Sequence, residues 1–103
     1  MISAILLAAG QSKRLRYENK LIKNYKGKHL INHILKSLIK SKVNKIIVVL
    51  GHESRKIKKI VLKSKKIIFV VNSSYKKGIS SSIKSGLKKI SKKNIGFLIV
   101  HAD

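Results

Sequence analysis

The chain has no cysteine, no proline and no tryptophan, and only three acidic residues among its 103. Without cysteine there can be no disulfide framework and no thiolate metal site, a composition that fits the cytosol, the compartment expected here. Long apolar runs are also missing, and none approaches the roughly 18–20 residues that a helix needs to cross a bilayer. The start, Met1-Ile2-Ser3-Ala4-Ile5, lacks the basic n-region of a secretory signal. With no proline and no Gly/Ser-rich linker, nothing marks an internal boundary, and one small domain is expected. Its 44% hydrophobic content can supply a core.

The scarcity of acid leaves a large excess of positive charge: 25 Lys and Arg against 3 Asp and Glu, a net charge of +22. Such a field attracts polyanions, so nucleic acid enters as a rival partner. The lysines, however, run through every segment, alternate with isoleucines and form no single arm or stripe. Lys, Ile and Asn share A/T-rich codons, so genome composition accounts for the excess as well as a nucleic-acid surface does. Aromatic residues make up only 5% of the chain, which leaves little to stack on bases.

What is present is a clean alternation of two periods. Short, β-branched, continuous apolar runs occupy residues 2–8, 46–50, 67–71 and 97–100, as in strands buried on both faces. Between them, Leu30, Ile31, Ile34, Leu35, Leu38 and Ile39 fall on one helical stripe, and Ile57, Ile60 and Val61 form a shorter one. Ile79, Ile83, Leu87 and Ile90 are read as a third, with Gly86 allowing close approach of helix and sheet. The order β-α-β-α-β-α-β implies a parallel sheet with right-handed crossovers, an α/β layered domain. The last strand runs to the end of the sequence, so its uncovered face and open apolar edge suggest part of a longer domain.

Chemistry concentrates in the first twenty residues. The run Ile5-Leu6-Leu7-Ala8-Ala9 breaks at Gly10, and Gln11-Ser12-Lys13-Arg14 follows. A strand-to-turn edge with small side chains exposes backbone N–H groups, and Lys13, Arg14 and Lys20 add positive charge. The stretch is neither a G-x-G-x-x-G fingerprint nor a P-loop. Taken alone it fits two readings, a phosphate-binding loop or a turn with solvated cations. His29 and His33 stand four apart, but no H-E-x-x-H glutamate or third ligand accompanies them, which argues against zinc. The serines of Gly78-Ile79-Ser80-Ser81-Ser82 open a helix, where N-capping by one of them is expected, and no nucleophile elbow is present. Glu53 is read as serving the positive end of the second crossover helix, and Tyr75 as packing.

Several motifs, taken in order, resemble a known family. Leu7-Ala8-Ala9-Gly10-x-Ser12-x-Arg14-Leu15, then Asn19-Lys20-Leu21, is similar to the signature of nucleotidyltransferases that make nucleoside-diphosphate conjugates. Gly27-Lys28-x-Leu30-Ile31, Val49-Leu50-Gly51-His52-Glu53, Asn72-Ser73-Ser74-Tyr75-x-x-Gly78-Ile79-Ser80-Ser81-Ser82-Ile83 and His101-Ala102-Asp103 follow in that family's order. Together they resemble the molybdenum cofactor cytidylyltransferases and their relatives with a MobA-like NTP transferase fold. The likeness covers the whole chain, residues 1–103, but only the N-terminal, nucleotide-binding half of such a domain. Arg16, His29 and Ala102 depart from residues common in that family.

The resemblance implies a Rossmann-like three-layer fold with strand order 3-2-1-4. It also implies transfer of CMP from CTP to the phosphate of molybdopterin, with release of pyrophosphate and dependence on Mg²⁺. Backbone groups of Leu7, Ala8, Ala9 and Gly10 would then meet the nucleotide, and Arg14 and Lys20 its triphosphate as the catalytic cations. Asn72, Gly78 and Ser82 would surround base and ribose, and Asp103 would hold the metal. Ala8-Ala9-Gly10 favours CTP over GTP, because guanylyl-transferring relatives tend toward a second glycine there. Half a domain would lack the acceptor site, so these 103 residues alone are expected to be inactive. Alternatives are a same-fold transferase using GTP or a sugar-phosphate acceptor, a non-catalytic basic nucleotide- or RNA-binding module, or a piece unable to fold alone.

Overall fold

A computed structural model describes residues 2–9, 24–25, 28–90 and 96–101. In chain order the elements are β1 (Ile2–Ala8), β2 (Asn24–Tyr25), β3 (Lys28–His29), α1 (Leu30–Lys40), β4 (Lys45–Leu50), α2 (Ser54–Ile60), β5 (Ile67–Val71), a single 3₁₀ turn (Tyr75–Lys77), α3 (Ile79–Leu87) and β6 (Gly96–His101). The four long strands form one sheet in the order β5-β4-β1-β6, all parallel. Counting only these strands, that is the expected order 3-2-1-4. The chain moves outward from β1 to β4 to β5, then crosses back to place β6 on the other side of β1. A reversal of this kind creates a switch point, a crevice beyond the carboxyl ends of the strands.

Period-two alternation sends each strand's side chains to both faces, and on the central strands β1 and β4 both are covered. On one face Ala4, Leu6 and Ala8 of β1 and Ile46, Val48 and Leu50 of β4 pack with Ile31 and Leu35 of α1 and Ile57 of α2. On the other, Ile5, Leu7 and Ala9 with Ile47 and Val49 pack against Tyr75, Ile83 and Ile90. Thus α1 and α2 cover one side and α3 the other, giving three layers. This is why β1 and β4 read as continuous apolar runs.

Two features differ from the sequence expectation. The stripe read into α3 includes Ile79 and Leu87, yet these are 57% and 39% exposed, while Ser82 and Gly86 are buried. The packing face of α3 is set by small residues. A Cβ on Gly86 would stand 2.7 Å from Ile5 Cγ2 and 3.2 Å from Val49 Cγ2, so glycine permits the close approach anticipated for it. The short antiparallel pair β2/β3 was not anticipated; two-residue strands leave no periodic signal. At the border of the sheet, Phe97, Leu98 and Ile99 of β6 are exposed, matching the expected open apolar edge.

Candidate nucleotide site at the carboxyl edge of the sheet

Three chain segments meet where the central strands end. Ala8 pairs with Leu50 and Leu7 with His101, so the ends of β4 and β6 flank the end of β1. The His52 amide donates to the Ala9 carbonyl at 3.1 Å, and the Asn72 amide donates to the Leu50 carbonyl at 2.7 Å. These bonds extend the lateral pairing just past the strands and fix the backbone there. Gly51 is needed because the space beside it is full: a Cβ would lie 2.5 Å from Tyr75 Cβ and 2.9 Å from the Ala9 carbonyl oxygen. Tyr75 therefore packs directly on this turn, with its ring 6.1 Å from that of His52.

The turn carries strain. Glu53 adopts a left-handed conformation, φ 55° and ψ 37°, uncommon for a residue with a β-carbon. Its carboxylate lies 3.2 Å from His52 Nε2 and 2.9 Å from Lys56 Nζ. Glu53 is the residue before α2, as the dipole reading requires, but its side chain makes no capping hydrogen bond. The same holds for His29 before α1 and Gly78 before α3. Among the described residues, α1, α2 and α3 all begin without a side-chain cap, α2 and α3 of them just past the strand ends.

Serine capping of α3, expected from sequence, does not occur, and the reason is local. Asn72 is only 5% exposed at the end of β5, and its side chain organises everything around it. Its Oδ1 accepts from the Ser74 amide at 3.0 Å, closing an Asx-type turn. Its Nδ2 donates to Ser81 Oγ at 3.0 Å and to Ser82 Oγ at 3.1 Å. Ser81 Oγ in turn donates to the carbonyls of Gly78 (2.8 Å) and Ser74 (3.1 Å). A hydroxyl drawn to these partners is not available to the first-turn amides of α3. Gly78 connects turn and helix at φ 107° and ψ −178°, a conformation that essentially only glycine adopts.

Of the residues singled out from sequence, Leu7, Ala8 and Ala9 lie at the end of β1, while Asn72, Gly78 and Ser82 share one hydrogen-bonded turn at the same edge. Ser82 is buried beneath Asn72 rather than presented at the surface. Gly10, Arg14, Lys20 and Asp103 lie outside the described residues. Gly51 and Ser81 were not counted as site residues. For Gly51 the signal was present, a glycine directly after an apolar strand. For Ser81 it was not, since its partner Asn72 sits on another element. Among the described residues no three His, Cys, Asp or Glu side chains gather into a group able to hold a metal ion, and no helix is long and apolar enough to cross a membrane.

Residues 4–103 match the model of the MobA-like NTP transferase domain. The chain belongs to that family. Solved structures agree on the fold: a nucleotidyl transferase from Methanothermobacter superposes with a TM-score of 0.86 at 24% identity, over 100% of this chain and 50% of its own. The Rv0371c protein of Mycobacterium tuberculosis gives 0.84 at 20% identity, over 99% and 51%. A structure of that protein in complex with manganese gives 0.75 at 16%, over 99% and 50%. The chain thus spans about half the length of these structures.

Proposed function

We propose that these residues form the nucleotide-binding half of a nucleotidyltransferase that transfers CMP from CTP to the phosphate of molybdopterin. The observation that carries this reading is the convergence, at the switch point of a family-matched sheet, of the β1 end, the Gly51 turn and the Asn72–Gly78 turn. Helices α2 and α3 begin at this edge, just after the Gly51 and Asn72–Gly78 turns, without a side-chain cap, an arrangement that favours phosphate. Backbone groups of Leu7, Ala8, Ala9 and Gly10 approach the nucleotide closely because their side chains end or shrink there. Asn72, Gly78 and Ser82 shape the wall facing base and ribose. Arg14 grips phosphate oxygens as a planar fork, and Lys20 supplies a point charge.

In the reaction an oxygen of the acceptor phosphate bonds to the α-phosphorus of CTP while the bond to the β-phosphate bridging oxygen breaks, releasing pyrophosphate. No covalent enzyme intermediate is needed; the protein orients the reactants and stabilises developing charge. Asp103 fits a hard divalent cation such as Mg²⁺ because it offers carboxylate oxygen, and β6 ends at His101, opposite Leu7, two residues before it. Such an ion neutralises phosphate charge when bound.

Pyrophosphate release by the full-length protein, measured with molybdopterin and either CTP or GTP, tests the assignment. CTP is expected to support turnover in preference to GTP. Lys20→Ala should slow it by on the order of 10²–10³, whereas Lys23→Ala should leave it near wild type. Equal use of GTP would remove the base assignment. Tighter binding of single-stranded RNA than of CTP at physiological salt, with a steep salt dependence, would replace the enzyme by a basic binding module.

A further inference from the structure

We infer that Ser81 is a positioning residue for the nucleotide site, acting jointly with Asn72 to hold the turn from Ser74 to Gly78 in its binding shape. The inference rests on the nucleotide reading above and assigns to Ser81 and Asn72 a role that does not require either to touch the ligand. The geometry points this way because the Asn72 amide is already spent. Its Nδ2 donates to both Ser81 and Ser82, and its Oδ1 accepts from Ser74. At 5% exposure it has no free donor to offer a base or ribose.

Ser81 completes the device. Its hydroxyl bonds the backbone on both sides of the turn, reaching the Ser74 carbonyl before the 3₁₀ segment and the Gly78 carbonyl after it. Its single proton is shared between these two carbonyls while its oxygen receives the Asn72 proton. The turn's own backbone bonds are few: Lys77 to Ser74 at 2.9 Å and Gly78 to Tyr75 at 3.3 Å. Gly78 samples both signs of φ readily, so it needs an external restraint to stay at φ 107°. The Ser81 hydroxyl supplies that restraint from the helix side. Because Tyr75 in the same turn packs on Gly51 and thereby beside the Ala9 carbonyl, a loosened turn also disturbs the β1 end.

The test compares three variants of the full-length protein: Ser81→Ala, Ser81→Thr and Ser85→Ala. Ser85 is the control, since its hydroxyl donates to the Ser81 carbonyl at 3.0 Å within the same helix without touching the turn. Calorimetric titration with CTP and magnesium reads affinity, and hydrogen exchange reads the Lys77 and Gly78 amides. Ser81→Ala should weaken CTP binding about tenfold, the size of one lost restraining hydrogen bond, and should speed exchange at both amides. Ser81→Thr should restore both, and Ser85→Ala should change neither. Unchanged CTP affinity in Ser81→Ala beside a wild type that binds CTP overturns the positioning role alone. Equal weakening in Ser85→Ala also overturns it, as a general effect of helix stability. A wild type that binds neither CTP nor GTP overturns the nucleotide reading, and this inference with it. If Ser81→Ala does not fold, failure of Ser81→Thr to keep slow exchange at Gly78 and wild-type CTP affinity is the overturning result.

Discussion

The two ends of the central sheet are built by different rules. At the amino end, polar bonds tie down the described connections into β4 and β5. The Ile2 amide donates to Asn44 Oδ1 at 2.8 Å while the Asn44 amide returns a bond to the Ile2 carbonyl at 2.8 Å. Ser41 caps α1 by donating its amide to the Leu38 carbonyl, and Lys66 Nζ reaches the Ile39 carbonyl at 2.9 Å. At the carboxyl end, the backbone takes positive-φ conformations, strained at Glu53 (φ 55°) and open only to glycine at Gly78 (φ 107°), and the starts of α2 and α3 lack side-chain caps. One end is tied by polar bonds; the other holds strained backbone of the kind that clusters at ligand-binding sites.

Substitutions can break or sharpen this contrast, and the largest effect is expected at Gly51. Gly51→Ala would drive a methyl into Tyr75 Cβ and the Ala9 carbonyl, neither able to swing aside. Urea denaturation should show a loss of about 3 kcal/mol, the upper range of overpacking, with nucleotide binding lost alongside. Next comes Gly78→Ala, where space is open but the backbone conformation is not. About 2 kcal/mol of strain is expected, and relief of that strain by a changed turn should weaken CTP more than it lowers stability.

Gly86→Ala calibrates the scale from a position between the two ends. Alanine gains helix propensity there, but the clash with buried Ile5 dominates, for a net loss of about 1 kcal/mol with CTP affinity unchanged. The smallest effect is expected at the amino end. Asn44→Ala removes one hydrogen bond and should cost about 1 kcal/mol or less, again with no change in nucleotide affinity. If Asn44→Ala weakened CTP binding as Gly78→Ala does, the division of labour between the ends would be wrong.

The contrast also explains what could be read from sequence. Strands β1, β4 and β5 and helix α1 were legible because burial on two faces, or one helical stripe, writes a period into apolar residues. The face of α3 was not, because close packing there demands smallness, and Ser82 and Gly86 carry no hydrophobic signal while Ile79 and Leu87 do. Asn72, Gly78 and Ser82 were recognisable together as a motif. The bonds among them were not, since a serine next to a helix start reads as a cap until a competitor on another element is known. Asn32 was hidden for the same reason: it lies in α1, yet it accepts from the Leu62 amide at 2.8 Å and donates to the Ile60 carbonyl at 2.6 Å, tying α1 to the end of α2.

The central claim is that nucleoside triphosphate binds at the carboxyl edge of the sheet, and amide chemical shifts test it residue by residue. Titrating the ¹⁵N-labelled full-length protein with CTP and magnesium should move the amides of Ala8, Ala9, Gly51, His52, Gly78 and Ile79, and leave those of Ile2, Ser41, Asn44 and Lys66 in place. Shifts spread over the lysine-bearing surface, or centred on the cleft between Lys58, Lys63 and Phe69, while the carboxyl-edge amides stay still, would contradict it.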